Sequence, residues 1–372
     1  MPTEELLEHG FIPDTNKRVR RPPLDALTGL RFFAALYVML FHFGAAFTSR
    51  AHMPHAVTAF LEHGYLGVCL FFLLSGFILF YTYAGNLQTG RDLYRFFVAR
   101  FCRIYPVYLL AGAMACAVGR HLPHGHDLTY FTLLQSWRPA SSPSGYAWIM
   151  QAWTLSVEVF FYCCFPLLLP LVRRLQNRTA LWVFLVLSGL LVGLLNLPYQ
   201  HAGMTSPLAG IFLPLLRLPE FLLGMLLSSL FLGRSPNSRD RWKSDWITMV
   251  VMLPAIAFIA SAPPLRLVSL TAVFWFLWTI YRLACGAGWL AKLLSTRLFI
   301  LLGGASYSIY LLQSPVRELL RQYVGRSHPG LDAALSPALL ICFSILVFLY
   351  YEEPIRERLR GALTGSRSRR IN

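Results

Sequence analysis

Long apolar segments alternate with shorter polar ones along the whole chain. A segment of about 20 mostly apolar residues is long enough to cross the hydrocarbon core of a bilayer. Ten stretches approach or reach this length, at residues 24–47, 63–85, 103–120, 151–172, 179–197, 208–232, 246–262, 266–284, 299–320 and 333–352. The pattern predicts an all-α polytopic membrane protein with about ten transmembrane helices.

The composition excludes a soluble globular protein. Hydrophobic residues make up 56% of the chain and charged residues only 13%, whereas soluble domains carry about 25% charged residues. The net charge of +16 would suggest a nucleic-acid partner in a soluble protein. The distribution of the basic residues along this chain explains the charge differently. The polar N-terminus and alternate loops hold 24 of the 33 Lys and Arg residues, and the opposite loops hold seven. This asymmetry predicts that both termini are cytoplasmic, and no nucleic-acid partner is needed to explain the charge.

Two ionisable residues interrupt the first apolar segment. Arg31 and His42 are 11 residues apart, which places them about 16 Å apart along a helix and on nearly the same face. Under the predicted topology, Arg31 lies in the cytoplasmic half of the membrane and His42 in the outer half. Ionisable residues at membrane depth are costly and are commonly functional. The alternative is a neutral, packed His42 and an Arg31 that extends to the inner surface.

Six sequence blocks, taken together, resemble one family. The segment RFFAALYVMLFH is similar to the arginine and histidine signature in the first helix of the acyltransferase-3 family. Further blocks follow in the family's order: GVCLFFLLSGFIL, RFFVARFCRIYPVY, QAWTLSVEVFFY, RLPEFLLGM and GGASYSIYLLQSP. Each block alone is weakly specific, but the six cover nearly the whole chain in the expected order.

The resemblance implies an integral-membrane glycan O-acyltransferase of the inner (plasma) membrane. Such a protein moves an acyl group, commonly acetyl, from cytoplasmic acyl-CoA to a sugar hydroxyl of a surface, exported or lipid-linked glycan. Three parts are expected: a cytoplasmic N-terminal tail at 1–23, a ten-helix acyltransferase domain at 24–354, and a basic cytoplasmic tail at 355–372. The N-terminus lacks the apolar stretch of a signal peptide, so the tail is expected to persist. Residues 91–102 are expected to lie along the inner interface as an amphipathic helix.

The chemistry requires a base for a weakly nucleophilic sugar hydroxyl. His42 suits this role because imidazole titrates near neutral pH. Glu158 opens the fourth segment from the outer side, so we expect it near His42, where it would orient the imidazole. The alternative for Glu158 is a carboxylate that stabilises the start of its helix.

The acyl donor is strongly anionic, and three arginines fall toward the predicted inner face. Arg31, Arg100 and Arg103 are expected to bind the CoA phosphates or line the donor's path, because a guanidinium matches phosphate geometry. For Arg100 and Arg103 the alternative is ordinary positive-inside topology. Trp153 and Tyr162 are candidates for contacts with the substrates. No metal is expected.

Other polar residues near these blocks have structural interpretations. Arg217 and Glu220 are three residues apart and are expected to pair. Ser75 and Gly76 are expected to serve close helix packing. Hydroxyls at residues 306–308 are expected to bond across helices, since no base is adjacent. Gln313 stands where the family often has a histidine, so we assign that position no acid or base role.

Two further hypotheses remain open at this stage. The external segment 121–150 contains a possible metal cluster, although its irregular spacing favours a solvated loop; the residues concerned are His121, His124, His126 and Asp127. The intramembrane residues Arg31, His42 and Glu158 also fit a transporter of a small anionic metabolite.

Overall fold

The computed structural model describes residues 21–51, 54–119, 128–137, 149–175, 177–201, 212–233, 245–261, 265–286, 288–325 and 329–365, and these ranges contain helices without any β-strand. The helices are α1 (Asp25–Ala51), α2 (His55–Glu62), α3 (Leu66–Tyr83), α4 (Gly90–Gly119), α5 (Leu128–Phe131), α6 (Trp153–Arg174), α7 (Arg178–His201), α8 (Leu213–Leu232), α9 (Asp245–Ala260), α10 (Leu265–Ala284), α11 (Trp289–Leu294), α12 (Arg297–Gly304), α13 (Ser306–Leu311), α14 (Gln313–Leu320), α15 (Pro329–Val347) and α16 (Glu353–Thr364). Short 3₁₀ turns precede α6, and π-helical turns follow α14 and α15.

The all-helical class and the membrane character of the chain are confirmed. Seven helical segments among the described residues are long and apolar enough to cross a membrane. The count of ten and the side on which the termini lie stay predictions. The ninth predicted segment, 299–320, is not one uniform helix, because it divides into α12, α13 and α14 with breaks at Ala305 and Leu312.

Residues 91–102 are helical as predicted, but they are not a separate helix, because they form the first part of the long helix α4; their position at the inner interface stays a prediction. One aromatic residue of this segment packs inside the protein: Phe96 is fully buried and stacks against Phe165 of α6. Pro106 lies inside α4 and cannot donate a backbone hydrogen bond. Two tyrosine hydroxyls from the C-terminal part of the chain bond to carbonyl oxygens in this region, Tyr307 to Ile104 and Tyr351 to Pro106.

The predicted C-terminal tail at 355–372 begins as helix α16, whereas residues 366–372 lie outside the described ranges. Tyr94 of α4 donates a hydrogen bond to the carbonyl of Leu363. This bond joins α16 to the beginning of α4.

Helices α3 and α8 pack with their backbones in close contact. A Cβ atom at Gly76 would overlap the carbonyl oxygen of Phe221, and one at Gly224 would overlap that of Leu73. Small residues permit such approaches between helices in membranes. The close packing expected around Gly76 is therefore confirmed, and the partner is the block that contains Gly224.

Helix α1 is held on two sides around Arg31. Gly303 of α12 lies against the Thr28 carbonyl, one turn before Arg31, and Gly67 of α3 lies against the Ala34 carbonyl, one turn after it. Neither glycine has space for a Cβ. These two contacts fix the segment of α1 that carries the arginine.

Candidate active site

A cavity lies where α1, α3, α4, α6 and α13 meet. It encloses about 430 Å³ including its open mouth, and its wall combines charged, hydroxyl and aromatic side chains. The lining residues are Arg31, Val68, Phe71, Phe72, Arg103, Thr154, Leu155, Glu158, Tyr307 and Tyr310. Concave sites with apolar walls and a few converging polar groups are typical of small-molecule binding.

Two guanidinium groups line this cavity without an internal partner. Within the described part of the chain, neither Arg31 nor Arg103 makes a hydrogen bond or a close ion pair. They lie near enough to interact electrostatically with each other and with Glu158. A guanidinium has five donors and no acceptor, so the cavity offers an unsatisfied set of cationic donors.

Two carboxylates balance the charge of these arginines. Glu158 accepts a hydrogen bond from the Tyr162 hydroxyl at 3.3 Å, and Glu352 accepts one from Ser308 at 2.7 Å. Both carboxylates interact electrostatically with Arg103 and Arg31. The cluster therefore places two positive and two negative groups together, and burial of charge is tolerated where opposite charges are near.

Glu352 is the residue that the sequence analysis missed. Only 1% of its surface is exposed, and its Oε1 atom has no hydrogen-bond partner among the described residues. It lies in the π-helical turn Phe348–Glu352, immediately before α16. The sequence signal was an acidic residue at the end of an apolar run, which resembles an ordinary helix end at the membrane surface.

The third predicted donor residue, Arg100, lies beside the cluster but not in the cavity wall. Its Cζ atom is 5.7 Å from the ring centroid of Tyr162 and 5.9 Å from that of Phe96. Its Nε atom is buried and has no partner in the described ranges. Arg100 also interacts electrostatically with Glu158.

The two candidate substrate residues on α6 have different surroundings. Tyr162 is buried and bonds to Glu158, so it belongs to the charged cluster. Trp153 is half-buried, and its ring lies 5.9 Å from the Cζ atom of Arg217. Arg217 forms the expected pair with Glu220 at 2.7 Å. Trp153 therefore packs against a structural ion pair next to the cavity.

His42 does not line the cavity. It lies 11 residues beyond Arg31 on α1, about 16 Å farther along the helix. Its backbone carbonyl accepts a hydrogen bond of 2.6 Å from Arg317 of α14, and its half-buried ring is 5.1 Å from that of Phe41. The expected position of Glu158 beside His42 is not found, because Glu158 lies with Arg31 and Arg103. The catalytic roles of His42 and Glu158 stay predictions.

Two of the three hydroxyl groups at 306–308 bond across helices as expected, and the third, that of Ser306, bonds locally. Ser306 donates to the Gly303 carbonyl, Tyr307 to the Ile104 carbonyl and Ser308 to Glu352. The bonds of Tyr307 and Ser308 connect distant parts of the chain. The possible metal cluster at His121–Asp127 lies outside the described residues.

A comparison with protein-family models matches most of the chain. The family model for the acyltransferase domain of the acyltransferase-3 family matches residues 24–351. The chain belongs to the acyltransferase-3 family. The matched region contains all the lining residues of the cavity, together with His42 and Arg100.

Two relatives illustrate the range of the acyltransferase-3 matches. Acyltransferase MdmB of Streptomyces mycarofaciens is 28% identical over 63% of this chain and 63% of its own length. Exopolysaccharide production protein ExoZ of Rhizobium meliloti (strain 1021) is 34% identical over 46% of this chain and 53% of its own length. The chain thus spans between half and two-thirds of these two relatives. No solved structure matches the chain.

Proposed function

We propose that this protein transfers an acyl group, most simply acetyl, from cytoplasmic acyl-CoA to a sugar hydroxyl of a surface or exported glycan. The observation that carries the proposal is the pair of unpartnered guanidiniums, Arg31 and Arg103, in a cavity between helices that are long and apolar enough to cross a membrane. Membership of the acyltransferase-3 family supports the reaction class. The names of the relatives, acyltransferase MdmB and exopolysaccharide production protein ExoZ, support acyl transfer and a polysaccharide acceptor.

The arginines are assigned to the donor. Acyl-CoA carries several phosphates, and charge-assisted hydrogen bonds from guanidinium to phosphate are among the strong ones in proteins. Arg31 and Arg103 supply free donors in the cavity, and Arg100 lies beside them. Glu158 and Glu352 reduce the repulsion between Arg31 and Arg103 before the donor arrives.

His42 is assigned to proton transfer at the acceptor. Its imidazole takes the proton of the sugar hydroxyl as the oxygen attacks the thioester carbonyl carbon. The C–O bond forms, the C–S bond breaks, and CoA leaves as a thiolate that then takes up a proton. Glu158 lies with the arginines, so its role in this scheme is to position the groups that bind the donor.

The separation of the two sites suits a long donor. The pantetheine arm of CoA is a flexible chain between the phosphates and the thioester. Phosphates held at Arg31 and Arg103 would leave this arm free to extend along α1 toward His42, about 16 Å away. The acceptor is assigned to the region near His42. Trp153 is assigned to contacts with the substrates next to the cavity, and Tyr162 to the donor end, where it bonds to Glu158.

The test is transfer of labelled acetyl from acetyl-CoA to glycans by purified protein in proteoliposomes, with mass spectrometry of the glycans. We expect O-acetylation by the unchanged protein and none by His42→Ala. The proposal fails if the pure protein moves no label onto any glycan. If His42→Ala then abolishes uptake or export of a small anionic solute, the protein is a transporter.

A further inference from the structure

Gln313 is a buried amide without a hydrogen-bond partner. It exposes 1% of its surface, and neither its Oε1 nor its Nε2 atom has a partner among the described residues. Other glutamines of the same region do have partners. Gln151 accepts a hydrogen bond from Ser314 at 2.6 Å, and Gln135 donates one to the Ala152 carbonyl at 2.8 Å. The Oε1 atom of Gln135 is also unpaired, but Gln313 is the glutamine of this region in which both amide atoms lack a partner among the described residues.

Gln313 lies between the cavity and His42. Leu312 connects α13 to α14: its backbone N–H donates to the Ser308 carbonyl, and its carbonyl accepts from Val316. Gln313 begins α14 three residues after Tyr310 of α13, and it shares a face of α14 with Arg317, four residues later. Tyr310 lines the cavity, and Arg317 bonds to the carbonyl of His42.

Helices α13 and α14 and the π-helical turn Arg321–Gly325 form one helical run, and this run follows the proposed path of the donor from the cavity to His42. The hydroxyl of Tyr307 reaches the Ile104 carbonyl, and the amide of Gln322 reaches the Val118 carbonyl. The run therefore rises alongside α4 from the level of the cavity toward the level of His42. Gln313 occupies the middle of that interval.

A buried amide with no partner is destabilising, so its presence calls for a ligand or a water molecule. We infer that the side-chain amide of Gln313 binds an amide group of the donor's pantetheine arm. This inference rests on the proposed function. The arm contains secondary amides, each with one N–H donor and one carbonyl acceptor, and a primary amide can pair with both groups at once.

The position of Gln313 supports the arm as its partner. The nucleotide end of the donor is assigned to Arg31 and Arg103 below it, and the thioester is assigned to His42 above it. Only the intervening arm passes the level of Gln313. Its neutral amides need no charged partner there, and the charged cluster lies lower, in the cavity.

The experiment compares CoA with the adenosine bisphosphate that forms its nucleotide end, as inhibitors of acetyl transfer. Gln313→Met removes the amide and keeps the length of the side chain. We expect CoA to inhibit this variant roughly fivefold to tenfold more weakly, the loss of one to two ordinary hydrogen bonds. Inhibition by the adenosine bisphosphate should not change, because that ligand lacks the arm. The unfolding temperature should stay the same or rise, since an unpaired amide has been replaced by an apolar group.

Gln322→Met is the matched control. Gln322 lies on the same helical run, near its outer end, and its amide is paired with the Val118 carbonyl and with Glu318. Its replacement should leave CoA inhibition unchanged. An equal loss of CoA inhibition in this variant would overturn the specific role of Gln313.

Each other outcome has a definite meaning. Unchanged CoA inhibition in Gln313→Met would overturn the inference and assign the amide to a buried water. A change in the KM of the acceptor alone would assign Gln313 to the sugar and overturn the inference too. A fall in the unfolding temperature of Gln313→Met would show that the amide stabilises the fold, and this would overturn the inference. If CoA does not inhibit or bind the unchanged protein, the proposed donor itself is wrong, which is a separate failure.

Discussion

Arg103→Lys separates recognition of the donor from stability of the bundle. The substitution keeps one positive charge at the position, so the balance of Arg31 and Arg103 against Glu158 and Glu352 is preserved. It removes the planar fork of five donors and leaves a compact ammonium group. Since Arg103 makes no hydrogen bond within the described part of the chain, no internal bond is lost.

The expected effect follows from the missing contact with the donor. A hydrogen bond to a charged group contributes about 1.5–3 kcal/mol, and each 1.4 kcal/mol corresponds to about tenfold in affinity. Loss of one arm of a bidentate contact therefore predicts a donor KM raised by about tenfold to a hundredfold. The KM of the acceptor and the unfolding temperature should change little.

The assay is initial-rate acetyl transfer at varied acetyl-CoA and fixed acceptor, with thermal unfolding in detergent measured in parallel. Arg173→Lys is the control, because Arg173 is exposed in the last turn of α6 and lies outside the cavity wall. An unaltered donor KM in Arg103→Lys would refute the assignment of Arg103 to the donor. A lower unfolding temperature would instead show that the guanidinium supports the fold.

Three further predictions use other parts of the molecule. His42→Ala should abolish transfer while the protein stays inserted and folded, since the bond from Arg317 goes to the backbone carbonyl; near-normal O-acylation would contradict its role. Arg100→Ala should raise the KM of acyl-CoA more than that of the acceptor, and an unchanged dependence on acyl-CoA concentration would count against it. Gly303→Ala should destabilise the fold by about 1–3 kcal/mol, because its Cβ would overlap the Thr28 carbonyl, whereas Gly233→Ala, with space for a Cβ, should be tolerated in the same unfolding measurement.

Local features of the site could be predicted from the sequence. Arg217 and Glu220 are three residues apart on one helix, so their pairing depends on helical geometry alone. Gly76 lies in a run of large apolar residues, where a small residue indicates close packing of helices. In both cases the information is contained within one helical turn.

Long-range features could not be predicted in the same way. Glu352 lies 321 positions after Arg31, and its position in the cluster depends on how the whole bundle packs. Hydrophobic periodicity gives little help, since the lipid-facing and protein-facing sides of a membrane helix are both apolar. For the same reason, the sequence predicts a boundary between residues 102 and 103, where the structure has one continuous helix, α4. Both Phe96, which is buried against α6, and Phe101, which is exposed, are aromatic residues of the same predicted interfacial segment.

The glycines of the family blocks position the site through close backbone contacts. The glycines bring backbones together, and Gly67 and Gly303 hold α1 one turn on either side of Arg31. A guanidinium without an internal partner has no ion pair to fix its position, so its placement depends on the rigidity of its helix. Close backbone contacts provide that rigidity and leave every donor of the guanidinium free. A site that must bind an anionic donor and then release it requires this combination, because an internal ion pair strong enough to hold the arginine would compete with the substrate.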